Sequence, residues 1–588
     1  MLNNLPMSSE LIKRIFSLRE QNNPLIAVES PLQERISLLE NLTKECINLG
    51  INCYIWMLED DKLYQLLMSN SGLAFSEIKK YKRIAFKVVR EDSFEILRFW
   101  KTTQLQGMLI LEGIYPWLGQ GATDADFFLT AEWIKSALIN IKLYNDNSGK
   151  TALLLGSNAS LKSDIAGLIP TITQELPTVE EISDYLPKIL PDSITQAQIN
   201  QIANTCVGMY LADTETGVKS ALAIDKAPLG QGVGCGVWGV EKAQTTIFVQ
   251  APSSLHPRPY PQHPIFDNSE LVKKVSAYKI ELFKRVYNVE FLQPMTISVG
   301  GLELMQSAFK RYKRLLTPLA KSYNLRLPKG VLLIGPPGTG KSHSAKACSQ
   351  ILGLPLVIVE WGNFRSYGNM AEYKLKQLLA LVDRINRIIL YLDDFDKGFA
   401  GDDDLSRRLG GMLLTWMQER TSDVLIIASA NNIQWLPPEL TRSGRFDEIF
   451  KIDLPNNGER HEIFRIHLAR FDKRFCNGED AFTPEEWQRL LKVTHRCVGA
   501  EIQAIVEKAA ISIFCQLFGE DTPALEDLPP LEITLTALLE SRKNVNPLAI
   551  READRIESMR NIADLQGLPS SPVDSSIYSV GDVDIFGN

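Results

Sequence analysis

The sequence predicts an α/β protein with two domains built on mostly parallel sheets, the second followed by a helical segment. Three observations predict it. Residues 5–195 alternate short apolar runs with stretches of helical spacing. Residues 330–352 read as strand, glycine-rich turn and helix. Two later apolar runs, 387–392 and 424–428, end in polar clusters, as strands do when an open parallel sheet carries a ligand at their C-terminal ends.

A chain of 588 residues exceeds the ~250–300 at which single cores stop growing, so two or three domains are expected. Apolar residues at 45% and charged residues at 23% suit a globular chain rather than a disordered one. The net charge of −7 argues against a globally basic nucleic-acid binder. None of the eight cysteines forms a C-x-x-C pair, which speaks against zinc and for a reducing compartment. With no apolar run of ~18 residues and no secretory leader pattern, a soluble intracellular protein is expected, with no membrane span.

In the first domain, Pro24–Glu29 reads as a strand, Gln33–Leu49 as a helix, Asn52–Leu58 as the next strand, and Gly107–Leu111 and Thr151–Leu155 as two more. The turn after the first strand reads SPLQER, without glycine or a Lys-Ser pair, so it lacks a phosphate loop. Residues 196–222 read as helical. Residues 227–267 turn Gly-rich (GQGVGCGVWG) and then Pro-rich, the marks of a linker or insertion. Their Gly230, Gly232, Gly234 and Gly236 are not followed by a helix signal and do not count as a nucleotide loop. The basic stretch 270–314 reads as a solvated helix face, so a nucleic-acid partner is not expected. Beyond Arg560 there is no Lys or Arg, and an acidic disordered tail is expected.

The chemistry concentrates in the second domain. Gly330–Ile334 runs into Gly335-Pro336-Pro337-Gly338-Thr339-Gly340-Lys341-Ser342 and then a helix starting near His343. The glycines let backbone N–H groups turn inward around phosphates, and the helix N-terminus adds partial positive charge. Lys341 suits the β- and γ-phosphates, and the Ser342 hydroxyl suits Mg²⁺. The strand 387–392 delivers Asp393, a Mg²⁺ ligand through water, and Asp394, which orients or deprotonates the attacking water. The strand 424–428 leads to Asn431, an amide suited to the γ-phosphate or the water. Arg442 and Arg445 suit transition-state charge. His461-Glu462 opens a zinc-protease motif, but position 465 is Arg and the next histidine, His467, falls on another helix face, so no metalloprotease is assigned.

The order VGGL (299–302), GPPGTGKS, acidic strand end, SANN, RSGRFD and Val498-Gly499-Ala500-Glu501 resembles that of AAA ATPases. The chain resembles the AAA proteins called hypothetical chloroplast reading frames, of plastids and cyanobacteria, over roughly 296–563 and more weakly over 8–195. The resemblance implies a P-loop AAA+ core with a C-terminal helical lid, preceded by a degenerate ATPase-like domain. Together with the composition of the remaining segments, the expected division is 1–195 degenerate α/β domain, 196–295 helical linker with the insertion, 296–455 large AAA domain, 456–547 lid, 548–566 C-terminal helix, 567–588 acidic disordered tail. The resemblance implies ATP and Mg²⁺ as cofactors, Asn431 as a sensor, and Arg442 and Arg445 as arginine fingers acting on a neighbouring subunit. It also implies Gly499 and Ala500 near base and ribose and Tyr367 at the pore-loop position. If the two arginines act in trans, a ring oligomer (a hexamer) is required. The expected function is ATP-driven remodelling of a protein client, in the cytoplasm or plastid stroma; the alternatives are an ATP-dependent assembly switch with little turnover and a nucleic-acid-stimulated ATPase. Tyr367 is equally readable as a loop aromatic packed on its own domain. Asp394 stands where the family usually has Glu, which draws the carboxylate back by ~1–1.5 Å, a displacement on the scale that costs ~10²-fold in rate.

Overall fold

The computed structural model describes residues 8–59, 61–70, 72–79, 94–119, 125–143, 149–159, 161–191, 194–224, 268–399, 404–440, 445–476, 480–518 and 529–579. The chain forms two compact units, Met1–Lys279 and Ile280–Asn588. Among the described residues, no helix is long and apolar enough to cross a membrane.

The first unit holds β1 (Leu25–Glu29), β2 (Cys53–Met57), β3 (Lys62–Ser69), β4 (Gly72–Glu77), β5 (Gly107–Glu112), β6 (Lys150–Gly156) and β7 (Thr171–Thr173) in the order β4-β3-β2-β5-β6-β1-β7. Its central strands are buried on both faces. Leu25, Ala27, Leu109 and Leu111 pack on one side with Trp56 and Trp100, and Ile26, Val28, Met108 and Ile110 on the other with Leu38 and Leu42. That explains their continuous apolar runs.

The second unit holds β8 (Glu290–Leu292), β9 (Gly330–Ile334), β10 (Leu356–Glu360), β11 (Ile389–Asp393), β12 (Leu425–Ala430), β13 (Glu448–Lys451) and β14 (Leu568–Pro569). Their order is β14-β13-β9-β12-β11-β10-β8, all parallel except β8. From β7 to β2 and from β13 to β10, the two sheets share one order by position in the chain: fifth parallel strand, first, fourth, third, second. This is an AAA+ core preceded by a degenerate copy of its α/β sheet. In the degenerate copy five residues, 30–34, join β1 to its helix Arg35–Asn48, and none is glycine. Arg35, first in that helix, turns inward to Glu112 at the end of β5 (3.2 Å) and donates to the Ser30 carbonyl (3.4 Å). The helical lid follows β13, as helices Asn457–Leu468, Pro484–Val493, Gly499–Phe518 and Leu535–Lys543 around Phe464, Trp487 and Ile505.

Three expected boundaries need correction. Residues 196–224 are two helices of the first unit and not a linker: the Ala212 amide caps on Glu34 (2.8 Å) and Lys279 donates to the Thr205 carbonyl (3.1 Å). The large domain begins before 296, because β8 pairs antiparallel with β10. The expected disordered tail is in contact with the unit from 567 to 579. Leu568 and Pro569 pair with β13, and Ser570 accepts from Leu304 and Met305. Composition suggested disorder there, but backbone pairing to a sheet edge depends little on composition. The insertion 227–267 and residues 580–588 lie outside the described residues.

Buried Asp472 ties the lid together. It accepts from the Ile533 amide (2.8 Å), the Arg474 amide (3.0 Å) and the Arg474 guanidinium (2.7 Å). Burial pushes its carboxyl up, but the bonds from Arg474 and Ile533 outweigh this and hold it below the usual range. A depressed folded value gives stability that is present above the unfolded pKa of about 3.9 and lost as pH falls through the folded value. Asp472→Ala is expected to cost about 2–3 kcal/mol at pH 7, since it strands the Ile533 amide. Urea unfolding at pH 7 and pH 3 checks this: the gap to wild type should shrink at the lower pH.

Candidate active site

The phosphate loop is built at the end of β9. Gly335 passes so close to β13 that a Cβ there would lie 2.0 Å from the Ile452 carbonyl. Gly338 takes φ +81°, and a Cβ would lie 2.9 Å from Val498. These two glycines are required by close approach to the chain leaving the sheet and to the start of the lid helix Gly499–Phe518. Thr339 donates to the Pro336 carbonyl (2.9 Å), closing the turn.

Lys341 opens the next helix, and its ammonium is turned back under the loop. It donates to the carbonyls of Gly335 (2.9 Å) and Pro336 (2.8 Å) and to Asn431 Oδ1 (2.7 Å). Only 7% of the residue is exposed. Burial pushes its pKa down to about 8, against the pull of Asp396, Asp394 and Asp393. Asn431 is a bridge: its Oδ1 accepts from Lys341 and its Nδ2 donates to Asp394 Oδ1 (3.1 Å).

At the end of β11, Asp393 Oδ1 accepts from Tyr391 OH (2.8 Å), Ser429 Oγ (2.8 Å) and the Asp394 amide (3.1 Å). Ser342 Oγ lies 3.4 Å from both Asp393 oxygens. Burial and the Asp393 charge push the Tyr391 phenol up, so it stays a donor. A hydroxyl and a carboxylate on facing elements are hard oxygen donors of the kind Mg²⁺ takes when phosphates and water supply the rest, so these residues fit that ion. Asp394 follows in a left-handed turn (φ +47°). Its Oδ2 accepts from Lys397 (2.5 Å).

The other expected site residues are placed as follows. Ala500 N donates to the Gly338 carbonyl (3.4 Å), so Gly499 and Ala500 meet the loop from the lid side. His343 does not join the phosphate cluster; its ring bonds the Ser298 carbonyl (2.9 Å). Arg445 precedes β13 and donates to the Glu439 carbonyl. Its own carbonyl lies by Gly330, at the start of β9, whereas the phosphate loop is at the end. Five strand residues span roughly 16 Å, so the Arg445 backbone and the loop of its own chain lie at opposite ends of β9. Arg442 lies outside the described residues. Half-buried Tyr367 stands edge-on to Phe364 of its own domain (6.0 Å).

Sequence reasoning missed four contributors. Tyr391 had a legible signal, a lone hydroxyl two residues before Asp393 and so on its face of the strand. Ser429 and Lys397 had none beyond adjacency. Asp396 is 1% exposed and accepts from the amides of Asn431 (3.2 Å) and Asn432 (2.8 Å), fixing the sensor loop.

Residues 331–454 match the family described as ATPase family associated with various cellular activities (AAA). The chain is 34% identical to the uncharacterized AAA domain-containing protein ycf46 of Guillardia theta over 307 residues, 50% of this chain and 56% of the relative. It is 27% identical to the ycf46 protein of Pyropia yezoensis over 453 residues, 74% of this chain and 79% of that one. The chain thus spans just over half the length of the first relative. Among solved structures, the AAA domain of FIGL-1 aligns with a TM-score of 0.40 and 19% identity, covering 49% of this chain and 96% of that one. The second unit is an AAA-type core, and the chain resembles the ycf46 proteins.

Tyr391→Phe tests the carboxylate network without altering shape. Partners that orient a ligating group typically account for ~10–100-fold in metal affinity. The Mg²⁺ concentration that half-supports ATP binding should rise about tenfold, with thermal stability unchanged; an unchanged Mg²⁺ titration would remove Tyr391 from the site.

Proposed function

We propose that this protein is an ATP hydrolase of the AAA type that couples turnover to remodelling of a protein partner, acting as a ring oligomer, a hexamer. The observation that carries the reading is the convergence of Lys341, Ser342, Asp393, Asp394 and Asn431 at the strand ends by the phosphate loop, with Arg445 at the opposite end of β9. The first five are the groups that would bind a nucleoside triphosphate and orient a water. The sixth lies away from the loop of its own chain, which supports a role on a neighbouring copy. Likeness to the ycf46 proteins supports a place in the plastid stroma or a cytoplasm.

In this reading the loop amides and the start of the helix at Lys341 hold the β- and γ-phosphates. The Lys341 ammonium leaves the loop carbonyls and Asn431 for the phosphates and regains full charge there. Asn431, freed of Lys341, turns its amide to the γ-phosphate or the water while Asp396 keeps its backbone fixed. Mg²⁺, when bound, neutralises phosphate charge. Asp394 accepts the proton of the attacking water, and Arg445 of the adjacent subunit stabilises charge on the transferring group. Loss of the γ-phosphate contacts then relaxes the lid.

A second reading has an observation of its own. Asp394 is one methylene shorter than the usual Glu, and both its oxygens are engaged, by Lys397 and Asn431. A base so held favours an ATP-dependent assembly switch with little turnover. A nucleic-acid-stimulated ATPase finds no comparable support, because the basic residues Lys310, Arg311, Lys313 and Arg314 lie on the solvated face of a helix whose Met305, Phe309 and Tyr312 face the core.

Steady-state phosphate release separates the readings. Activity per protomer is expected to rise with protein concentration and to vanish in Lys341→Ala. Arg445→Ala should fall by ~10³-fold with ATP affinity retained. Asp394→Glu should turn over at least as fast as wild type. Activity that Asp394→Glu creates where wild type has none selects the switch. Activity independent of concentration and of Arg445 would sink the ring.

A further inference from the structure

We infer that residues 567–579 form a strap across the hinge of the lid and set how tightly the lid holds nucleotide, an inference that rests on the ATP-binding reading above. The large domain and the lid are joined by a short connection, 452–456, between β13 and the helix Asn457–Leu468. The strap is a second link between the same two bodies. At its sheet end Leu568 and Pro569 pair with Phe450 and Lys451. The Ser570 carbonyl then accepts from the amides of Leu304 and Met305, both at 3.1 Å. Those amides begin the helix Glu303–Leu315, whose N-cap Leu302 offers no side-chain cap, so the strap supplies the acceptor that the helix lacks.

At its lid end the strap caps a second helix. Ser571 donates to Glu459, and the Asp574 carboxylate accepts from the Gly458 amide (3.2 Å), in the first turn of Asn457–Leu468. Asn457 Nδ2 donates to the Tyr578 carbonyl (2.8 Å), and the Tyr578 ring lies against His461 (4.8 Å). Burial pushes the Asp574 carboxyl up, but bonds from Ser576 and Gly458 hold it below the usual range, so it is ionised at the positive end of the helix. The preceding helix, Ala553–Gln566, is itself anchored at the hinge, where Arg560 grips Asp453 with two bonds (2.6 and 3.0 Å).

Rotation of the lid about 452–456 therefore has to break the strap at one end. The lid reaches the phosphate loop through Ala500 and Val498 against Gly338, so its freedom governs how long nucleotide stays. Asp574 and Tyr578 act as positioning residues for that contact.

The test uses the full chain with Asp574→Ala and Tyr578→Ala combined, and Asp574→Asn alone as the variant that keeps an acceptor oxygen. Hydrogen exchange at the amides of Leu304, Met305 and Gly458 reports whether the strap is released. Spin labels at Leu319→Cys and Ile511→Cys, in a Cys515→Ser background, report lid motion without nucleotide. Dissociation of a fluorescent ADP reports the consequence. In the double variant, exchange at those amides should quicken, the inter-label distance distribution should broaden, and ADP should leave about tenfold faster; Asp574→Asn should stay near wild type. Released amides with an unchanged distance distribution would overturn the inference, as would a lower Tm with unchanged ADP release. Wild type that fails to bind ADP would sink the ATP-binding reading instead, and the distance measurement would still decide whether the strap restrains the lid.

Discussion

The site is organised around one buried ammonium. Lys341 is taken almost wholly out of water, and burial alone disfavours its charge. Two loop carbonyls, one amide oxygen and the field of Asp393, Asp394 and Asp396 compensate it. Each compensating group comes from a different strand end: β9, β11 and β12. The need to satisfy one cation thus holds three loops in register before any ligand arrives. In the proposed reading, phosphate oxygens, which carry negative charge, replace these neutral acceptors when nucleotide binds.

The first unit solves the same problem in the opposite direction. Five of its strands share the order, and a basic residue again begins the helix after the first of them. Arg35, however, spends its charge on Glu112 and Ser30 within the fold. The joining loop has no glycine to turn amides inward, so the copy keeps the architecture and lacks the phosphate cradle. Conservation of strand order with loss of the loop is what a sheet stabilised by its own apolar strands permits: Leu109, Ile110, Leu153 and Leu154 are buried whatever lies at the strand ends.

Behind the first contacts stands a layer that fixes them. Asp396 orders the backbone at Asn431 and Asn432, and Tyr391 with Ser429 orients Asp393. The lid approaches Gly338 from the other side, and its base is pinned by Glu459, Glu462 and residues 570–578. The bonds that fix the strand-end cluster and those that hold the base of the lid are different sets.

The phosphate loop, the acidic strand end and the sensor amide were legible in the sequence because each is a short contiguous pattern: an apolar run that must be a strand, followed at once by residues whose chemistry is local. The same logic exposed the missing loop after β1. The roles of Tyr391, Ser429, Asp396 and Lys397, the assignment of residues 196–224 to the first unit, and the strap at 567–579 were decided only by tertiary structure. For Ser429, Asp396, residues 196–224 and the strap, the partner lies far along the chain or the bond is made by backbone, as between Ser570 and Leu304; Tyr391 and Lys397 bond near neighbours, and only the folded turn shows which. A carbonyl carries no residue identity, so sequence composition, acidic and rich in Ser and Pro, marked as disordered a segment that hydrogen bonds to a sheet edge and two helix ends hold in place.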